Sequence, residues 1–313
     1  MKDRRKLLIV CCIGAALACC GFSREVSGRG GRKDAWDHLR LRLERQYSGF
    51  KGTAGIVVED LSTGWEIDIN KGSMFPAASL VKIPIMAGCY MAVEVGLLSL
   101  DEEVRLCAQD KTPGSGVLKA MPCGSAYTVG KLIELMITES DNTAANILID
   151  KIGADNLNVF FKRQGLTATS LCRKMMDFSQ RRRGVENYTS AADIALLLER
   201  MYRGQFINAK VSQKCIDTLL LQKMRDRIPK KLPKDTPIAH KTGLERYVCH
   251  DAGVVFAPEG DFLVCVLTKS HSKGGYRAMK DFIAKVAAAV YENYHQAGVP
   301  AGAPARPSFR KGG

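Results

Sequence analysis

The order of apolar and polar positions divides the chain into a leading apolar segment, two β-rich regions and a long helical middle. Residues 7–21 are almost continuously apolar and follow the positive start Lys2, Arg4, Arg5 and Lys6. That run is short for a membrane span, which needs about 20 apolar residues, and has the layout of a bacterial export signal ending near residue 24. Residues 34–46 read as an amphipathic helix with Trp36, Leu39, Leu41 and Leu43 available for packing. Two β-rich runs, 53–60 and 65–70, flank Ser62-Thr63-Gly64, a hairpin signal. From Ser79 the period turns helical, with Pro84 near the start, where a missing N–H costs little. Helical patterns recur over 128–140, 142–151, 155–163 and 191–203, and the helical middle runs to about Leu221. Strand character returns over 238–242, 252–256 and 262–268, and a helix over 276–294 closes the pattern. This succession predicts an α/β (α+β) fold: an antiparallel sheet flanked by helices, residues 34–80 and 222–296, with an all-helical domain inserted over 81–221. Pro300, Pro304 and Pro307 make 297–313 a disordered tail.

Composition narrows the partners more than the fold. Hydrophobic residues are 46% and charged residues 25% of 313, which excludes a disordered or fibrous chain. The formal charge of +14 invites anionic partners, and from Glu25 onward 41 basic against 31 acidic residues still leave +10. Export, 7% aromatic content and the lack of an aromatic-basic motif argue against nucleic acid. The longest later apolar run, 83–93, is broken by Pro84 and Gly88, so membrane contact is expected only through the export signal or a lipid on Cys19. Ala16-Leu17-Ala18-Cys19 is an imperfect lipobox with ordinary cleavage as its rival, and Arg4-Arg5-Lys6-Leu7-Leu8 loosely matches a twin-arginine signal. Either route places the protein in the periplasm or cell envelope, as an expected monomer. Of eleven cysteines, four precede Glu25. Cys89, Cys215 and Cys265 lie in apolar patterns that suit core packing, and Cys107 with Cys123 is a candidate bridge. No Cys-x-x-Cys pair occurs and His240 and His250 lack ligand spacing, so no metal or cofactor is expected.

Three short motifs carry chemistry. The Ser-x-x-Lys matches include Ser48/Lys51, Ser79/Lys82 and Ser270/Lys273, and only context separates them. Ser79 and Lys82 share one face of the first turn of an apolar helix, where a lysine with a lowered pKa can take a serine proton. An isolated serine there would read as a helix cap. Ser140-Asp141-Asn142 lies between helical patterns and has an inter-helix turn as its plain reading. Lys241-Thr242-Gly243 ends a strand, where a cation, a hydroxyl and a glycine suit a carboxylate-bearing ligand laid alongside.

The trio, in this order, resembles class A β-lactamases and penicillin-binding proteins. Phe75-Pro76-Ala77-Ala78-Ser79, Thr128-Val129-Gly130, Ser140-Asp141-Asn142-Thr143-Ala144-Ala145-Asn146 and His240-Lys241-Thr242-Gly243 extend the similarity over roughly 35–293. The resemblance implies Ser79 as the acylated nucleophile, Lys82 as its base or relay, and Ser140 as the donor to the leaving nitrogen. It further implies Asn142 on the substrate amide and Lys82, Lys241 and Thr242 on the substrate carboxylate, and the backbone N–H groups of Ser79 and Leu244 as the oxyanion hole. The expected substrate is a β-lactam or a peptidoglycan stem peptide. One element departs from the pattern. The family's efficient lactamases carry a Glu-x-x-x-Asn that activates the deacylating water, and it is missing between Leu166 and Tyr188. Asp177, between Met176 and Phe178, is the candidate replacement through a raised pKa, with pairing to Arg173 or the run Arg181-Arg182-Arg183 as its structural alternative. Arg246 is a candidate second cation for the carboxylate, Glu186 stands beside Asn187, and Gly114-Ser115-Gly116 reads as a mobile rim. The leading expectation is β-lactam hydrolysis through a Ser79 acyl-enzyme; a D,D-peptidase that β-lactams trap, or a non-catalytic binding module, are the alternatives.

Overall fold

The computed structural model describes residues 19–271 and 275–297. Residues 1–18 of the expected export signal, residues 272–274 with Lys273, and the expected tail from 298 onward lie outside the described residues. Helix α1 (Cys19–Ser48) leads into β1 (Gly52–Asp60) and β2 (Glu66–Ile69). It starts fifteen residues before the amphipathic stretch predicted at 34–46, so residues 19–24 of the expected signal continue that helix. After a two-residue strand, β3 (Phe75–Pro76), the chain enters the helical region: α2 (Lys82–Glu94), the β4 (Glu103–Arg105) and β5 (Ala126–Thr128) ladder, α3 (Val129–Thr138), α4 (Asn142–Ile152) and α5 (Ala154–Arg163). The short α6 (Phe178–Arg182) and β6 (Tyr188–Thr189) follow, then α7 (Ala191–Tyr202) and α8 (Ala209–Leu220). Strands β7 (Ile238–Glu245), β8 (Val248–Ala257) and β9 (Gly260–Ser270) and helix α9 (Tyr276–Ala297) complete the chain.

The sheet runs β2-β1-β9-β8-β7, antiparallel throughout, which places β7 at an edge. Both faces are covered, and period-two alternation decides which side chain meets which layer. On β9, Phe262, Val264 and Val266 pack with α1 and α9, while Leu263, Cys265 and Leu267 join the core of the helical region. Burial on both sides is why β8 and β9 read as continuous apolar runs.

Helix α2 is the axis of the helical region. Ile83 to Tyr90 are all buried, so its sequence lacks a polar stripe. Gly88 is required by packing, since a Cβ there would lie 2.5 Å from Leu157 Cδ2 on α5. Side-chain caps start the surrounding helices where polar residues preceded apolar periods: Thr128 for α3, Asp141 for α4, Ser190 for α7 and Asn208 for α8. Cys89, Cys215 and Cys265 are buried as expected, while Cys107 and Cys123 are exposed free thiols flanking the β4–β5 ladder.

Candidate active site

The helical region and the sheet edge meet at Ser79. It lies in a 3-10 turn, Ala78–Val81, that runs directly into α2, and its hydroxyl caps neither element. The plain reading of Ser79 as a helix cap therefore fails. Ala78 holds φ of 45°, a conformation an alanine adopts only at a cost of about 1–2 kcal/mol, and so presents the serine at the top of the turn. Ser48 and Ser270 of the other matches are otherwise engaged or placed. Ser48 donates to Glu44 O at the end of α1, and Ser270 ends β9.

Lys82, one helical turn on, is completely buried. Its Nζ donates to Ser140 O at 2.5 Å and to Asn142 Oδ1 at 2.7 Å, and lies 3.4 Å from Ser140 Oγ. Burial and then the charge of Lys241 hold its pKa well below the ordinary lysine range, against a smaller opposing effect of Asp141. A neutral amine has two N–H bonds. Both are committed here, so its lone pair remains to accept a proton. Lys241 Nζ donates to Ser140 Oγ at 3.0 Å and to Thr242 O at 2.8 Å, which leaves the Ser140 hydroxyl between two lysine nitrogens. Burial and the neighbouring Arg227 lower Lys241 to about 7.

Asp141 organises this corner. Its carboxylate accepts from the backbone N–H of Ala144, Val117 and Leu118 at 2.7–3.0 Å, capping α4 and fixing the Gly114-Ser115-Gly116 segment at once. Gly116, at φ of 110°, leaves no room for a Cβ, which would overlap the Asp141 carboxylate. Asn142 closes the other side, its N–H donating to Ser115 O and its Nδ2 to Pro113 O. The rim expected to be mobile is thus tied down at both ends.

A family model described as "Beta-lactamase enzyme family" matches residues 38–294. The chain belongs to that family. Among its relatives are Beta-lactamase VEB-1 of Pseudomonas aeruginosa, 24% identical over 82% of this chain and 91% of that protein, and a Beta-lactamase of Streptomyces fradiae, 29% identical over 82% and 86%. Among solved structures, that of PBP-A superposes with a TM-score of 0.75 at 29% identity, covering 83% of this chain and 96% of its own. An acyl-enzyme complex of a PBP-A point mutant with penicillin G is equally similar, at a TM-score of 0.76. The fold class and the resemblance to class A β-lactamases both hold.

The opposite wall of the cleft, residues 166–187, differs from the β-lactamase pattern in its carboxylates. Asp177 is partly exposed and caps α6, accepting from Gln180 N at 3.0 Å and Ser179 Oγ at 2.8 Å. The Gln180 amide first, then the Ser179 hydroxyl, lower its pKa, opposite to the rise expected for a base. Its apolar neighbours do not enclose it. Arg173 and Arg181, considered as its partners, turn elsewhere. Arg173, 8% exposed, grips Glu186 at 2.6 Å and Glu245 at 3.1 Å; Arg181 reaches Glu245 at 2.7 Å and Glu186 at 3.5 Å. This two-by-two network bolts the segment to the end of β7. Asn187 crosslinks the segment's ends by accepting from Cys172 N and Arg173 N and donating to Arg173 O, and Ala77 N donates to Asn187 O beside the nucleophile turn. Asn146 clamps the backbone of Met175, accepting from its N–H at 2.8 Å and donating to its C=O at 3.1 Å. Met175 and Met176 thereby face the same cleft as Ser79.

That cleft is about 720 Å³, and Arg246 and Leu244 stand on its β7 side. Arg246 is exposed, donates to Tyr247 OH at 3.0 Å and lies over the Tyr247 ring. Lys241, Thr242 and Gly243 are buried on the edge strand. Arg227, Met175 and the Arg173–Glu186–Glu245–Arg181 network carry parts of the site that the motifs missed. Arg227 is 1% exposed, donates to Cys249 Sγ and lies beneath β7; nothing in its local sequence distinguishes it from a surface arginine.

Proposed function

We propose that the protein is a serine acyl-transfer enzyme of the cell envelope that β-lactams acylate at Ser79 and that releases them slowly, as a penicillin-binding enzyme does. The observation that carries this reading is the contrast across the cleft: a lysine pair with lowered pKa values bracketing Ser140 beside Ser79, against a facing wall whose carboxylates are all bound to arginines or a helix cap.

Ser79 Oγ attacks the lactam carbonyl carbon while its proton passes to Lys82 Nζ. Ser140 then delivers a proton to the ring nitrogen, the C–N bond breaks, and an ester remains on Ser79. Lys241 and Thr242 receive the substrate carboxylate, Asn142 the amide, and the N–H groups of Ser79 and Leu244 the oxyanion, at about 3 kcal/mol per donor. The edge position of β7 supports this, because among the described residues no further strand pairs with its outer side, the side an extended substrate would join. Deacylation needs a base for water, and Asp177, Glu186 and Glu245 are each engaged. The natural substrate on this reading is a stem peptide ending in a carboxylate.

β-Lactam turnover is the second reading, favoured by relatives named β-lactamases and by Glu186, which lines the cleft and would serve as a base if Arg173 released it. Intact-mass measurement after mixing with a chromogenic cephalosporin separates the two. One equivalent released with a persistent adduct, absent in Ser79→Ala, supports trapping. Many equivalents without an adduct establish a lactamase, and neither release nor adduct leaves the binding module.

A further inference from the structure

The cleft carries charge that the acylation machinery does not use. Four arginines and two glutamates line it: Arg173, Arg181, Arg182, Arg246, Glu186 and Glu245. Arg173 and Arg181 neutralise Glu186 and Glu245 within the network. Arg182 and Arg246 remain, both exposed, and among the described residues neither forms an ion pair. Arg182 ends α6 and Arg246 stands in the two-residue turn between β7 and β8, two elements joined by the Arg181–Glu245 ion pair. The remaining lining is apolar or neutral, so the lining carries a net charge of about +2.

The turn that presents Arg246 is costly. Glu245 pairs with Val248, so Arg246 and Tyr247 make the whole turn, and Tyr247 holds φ of 69°, a position suited to glycine or asparagine. Its ring stacks under the Arg246 guanidinium, 4.9 Å from Cζ to centroid, and its hydroxyl accepts from the same group. The strained tyrosine thus fixes the direction of the arginine.

The groups already assigned to the carboxylate are buried behind this lining, Lys241 fully and Thr242 nearly so. Ser140, Lys241 and Thr242, which serve the leaving nitrogen and its carboxylate, are absent from the lining of the cleft, whereas Ser79, Met176 and Phe178 belong to it. A substrate carbonyl at Ser79 therefore has its leaving side toward Lys241 and its acyl arm between Arg182 and Arg246. Building on the function proposed above, we infer that the enzyme prefers substrates whose acyl arm carries a second carboxylate, bound between Arg182 and Arg246. The class comprises penicillins with an acidic acyl side chain and stem peptides with a free carboxylate ahead of the cleaved bond. Arg246 is then a second cation for the substrate, but on its acyl side.

Three penicillins that differ only at one α-carbon of the acyl arm test this: benzylpenicillin, ampicillin with an ammonium, and carbenicillin with a carboxylate. Second-order acylation rates would be measured by intact mass for the wild type, Arg182→Gln, Arg246→Gln and the double variant, at low and high salt. The expected order is carbenicillin, benzylpenicillin, ampicillin, with about five-fold or more between the extremes at low salt. That ratio should shrink toward one in the double variant and, in the wild type, at high salt. Acylation by all three with a ratio that neither the substitutions nor salt change overturns the inference while leaving the function standing. No adduct with any of them overturns both.

Discussion

The two walls of the cleft use charge in opposite ways. On the α2–α4–β7 wall, two buried lysines face each other across Ser140 without a carboxylate in contact with either nitrogen; burial lowers both pKa values, helped by the charge of Lys241 at Lys82 and of Arg227 at Lys241. Those groups are poised to move protons. On the 166–187 wall, each carboxylate is matched to an arginine or to backbone N–H groups, and the charge serves to hold a segment in place. Unpaired buried charge makes chemistry on the first wall. Paired charge makes architecture on the second.

The first way to break this comparison is Lys82→Ala, which should lower the acylation rate by about 10³-fold or more, read as the rate of adduct formation, because Lys82 is the buried amine of lowered pKa one helical turn from Ser79. Next, Arg173→Ala would leave Glu186 and Glu245 at a nearly buried site with Arg181 as their one remaining cation in the network. A loss of about 3 kcal/mol in denaturant unfolding is expected, with the segment's protection from amide exchange falling most. A loss under about 0.5 kcal/mol would show that the network is not what holds the wall.

The lysine wall also makes a pH prediction. Lys241 has its pKa lowered to about 7, so it is charged below that pH and neutral above it. Acylation by carboxylate-bearing β-lactams should fall by up to about tenfold per pH unit above that point, with the loss in the apparent affinity for the substrate. A flat profile into the alkaline range would show that Lys241 stays charged. The smallest expected effect sharpens the other wall. Met175, clamped by Asn146 and facing Ser79, is where an unpaired carboxylate would meet the acyl ester, so Met175→Glu should raise the deacylation rate on the order of tenfold, followed as recovery of free enzyme mass.

The same contrast explains how much was legible in the sequence. The sheet, the helical insertion and the Ser79, Lys82, Ser140 and Lys241 constellation all follow from local signals: alternation, helical period, caps, and motifs whose members stand within three residues of each other. The ends were less exact, since strands β7 to β9 extend beyond the patterns by pairing with neighbours that no local window contains. The second wall depends on long-range partners. Glu245 lies 72 residues from Arg173 and 64 from Arg181, so the choice between Asp177 and Glu245 as their partner had no local signature. Asp177 departs from the raised pKa expected of it because a five-residue helix turns its carboxylate to the backbone, where Met176 and Phe178 do not enclose it.

The most direct test is a stopped-flow experiment with a chromogenic cephalosporin that separates formation of the Ser79 ester from its hydrolysis. A rapid burst of one equivalent, followed by a steady rate at least about a hundredfold slower, is the predicted outcome. A linear trace without a burst, at a turnover rate matching acylation, would show that the facing wall activates water efficiently and would contradict the assignment of its carboxylates to structure alone.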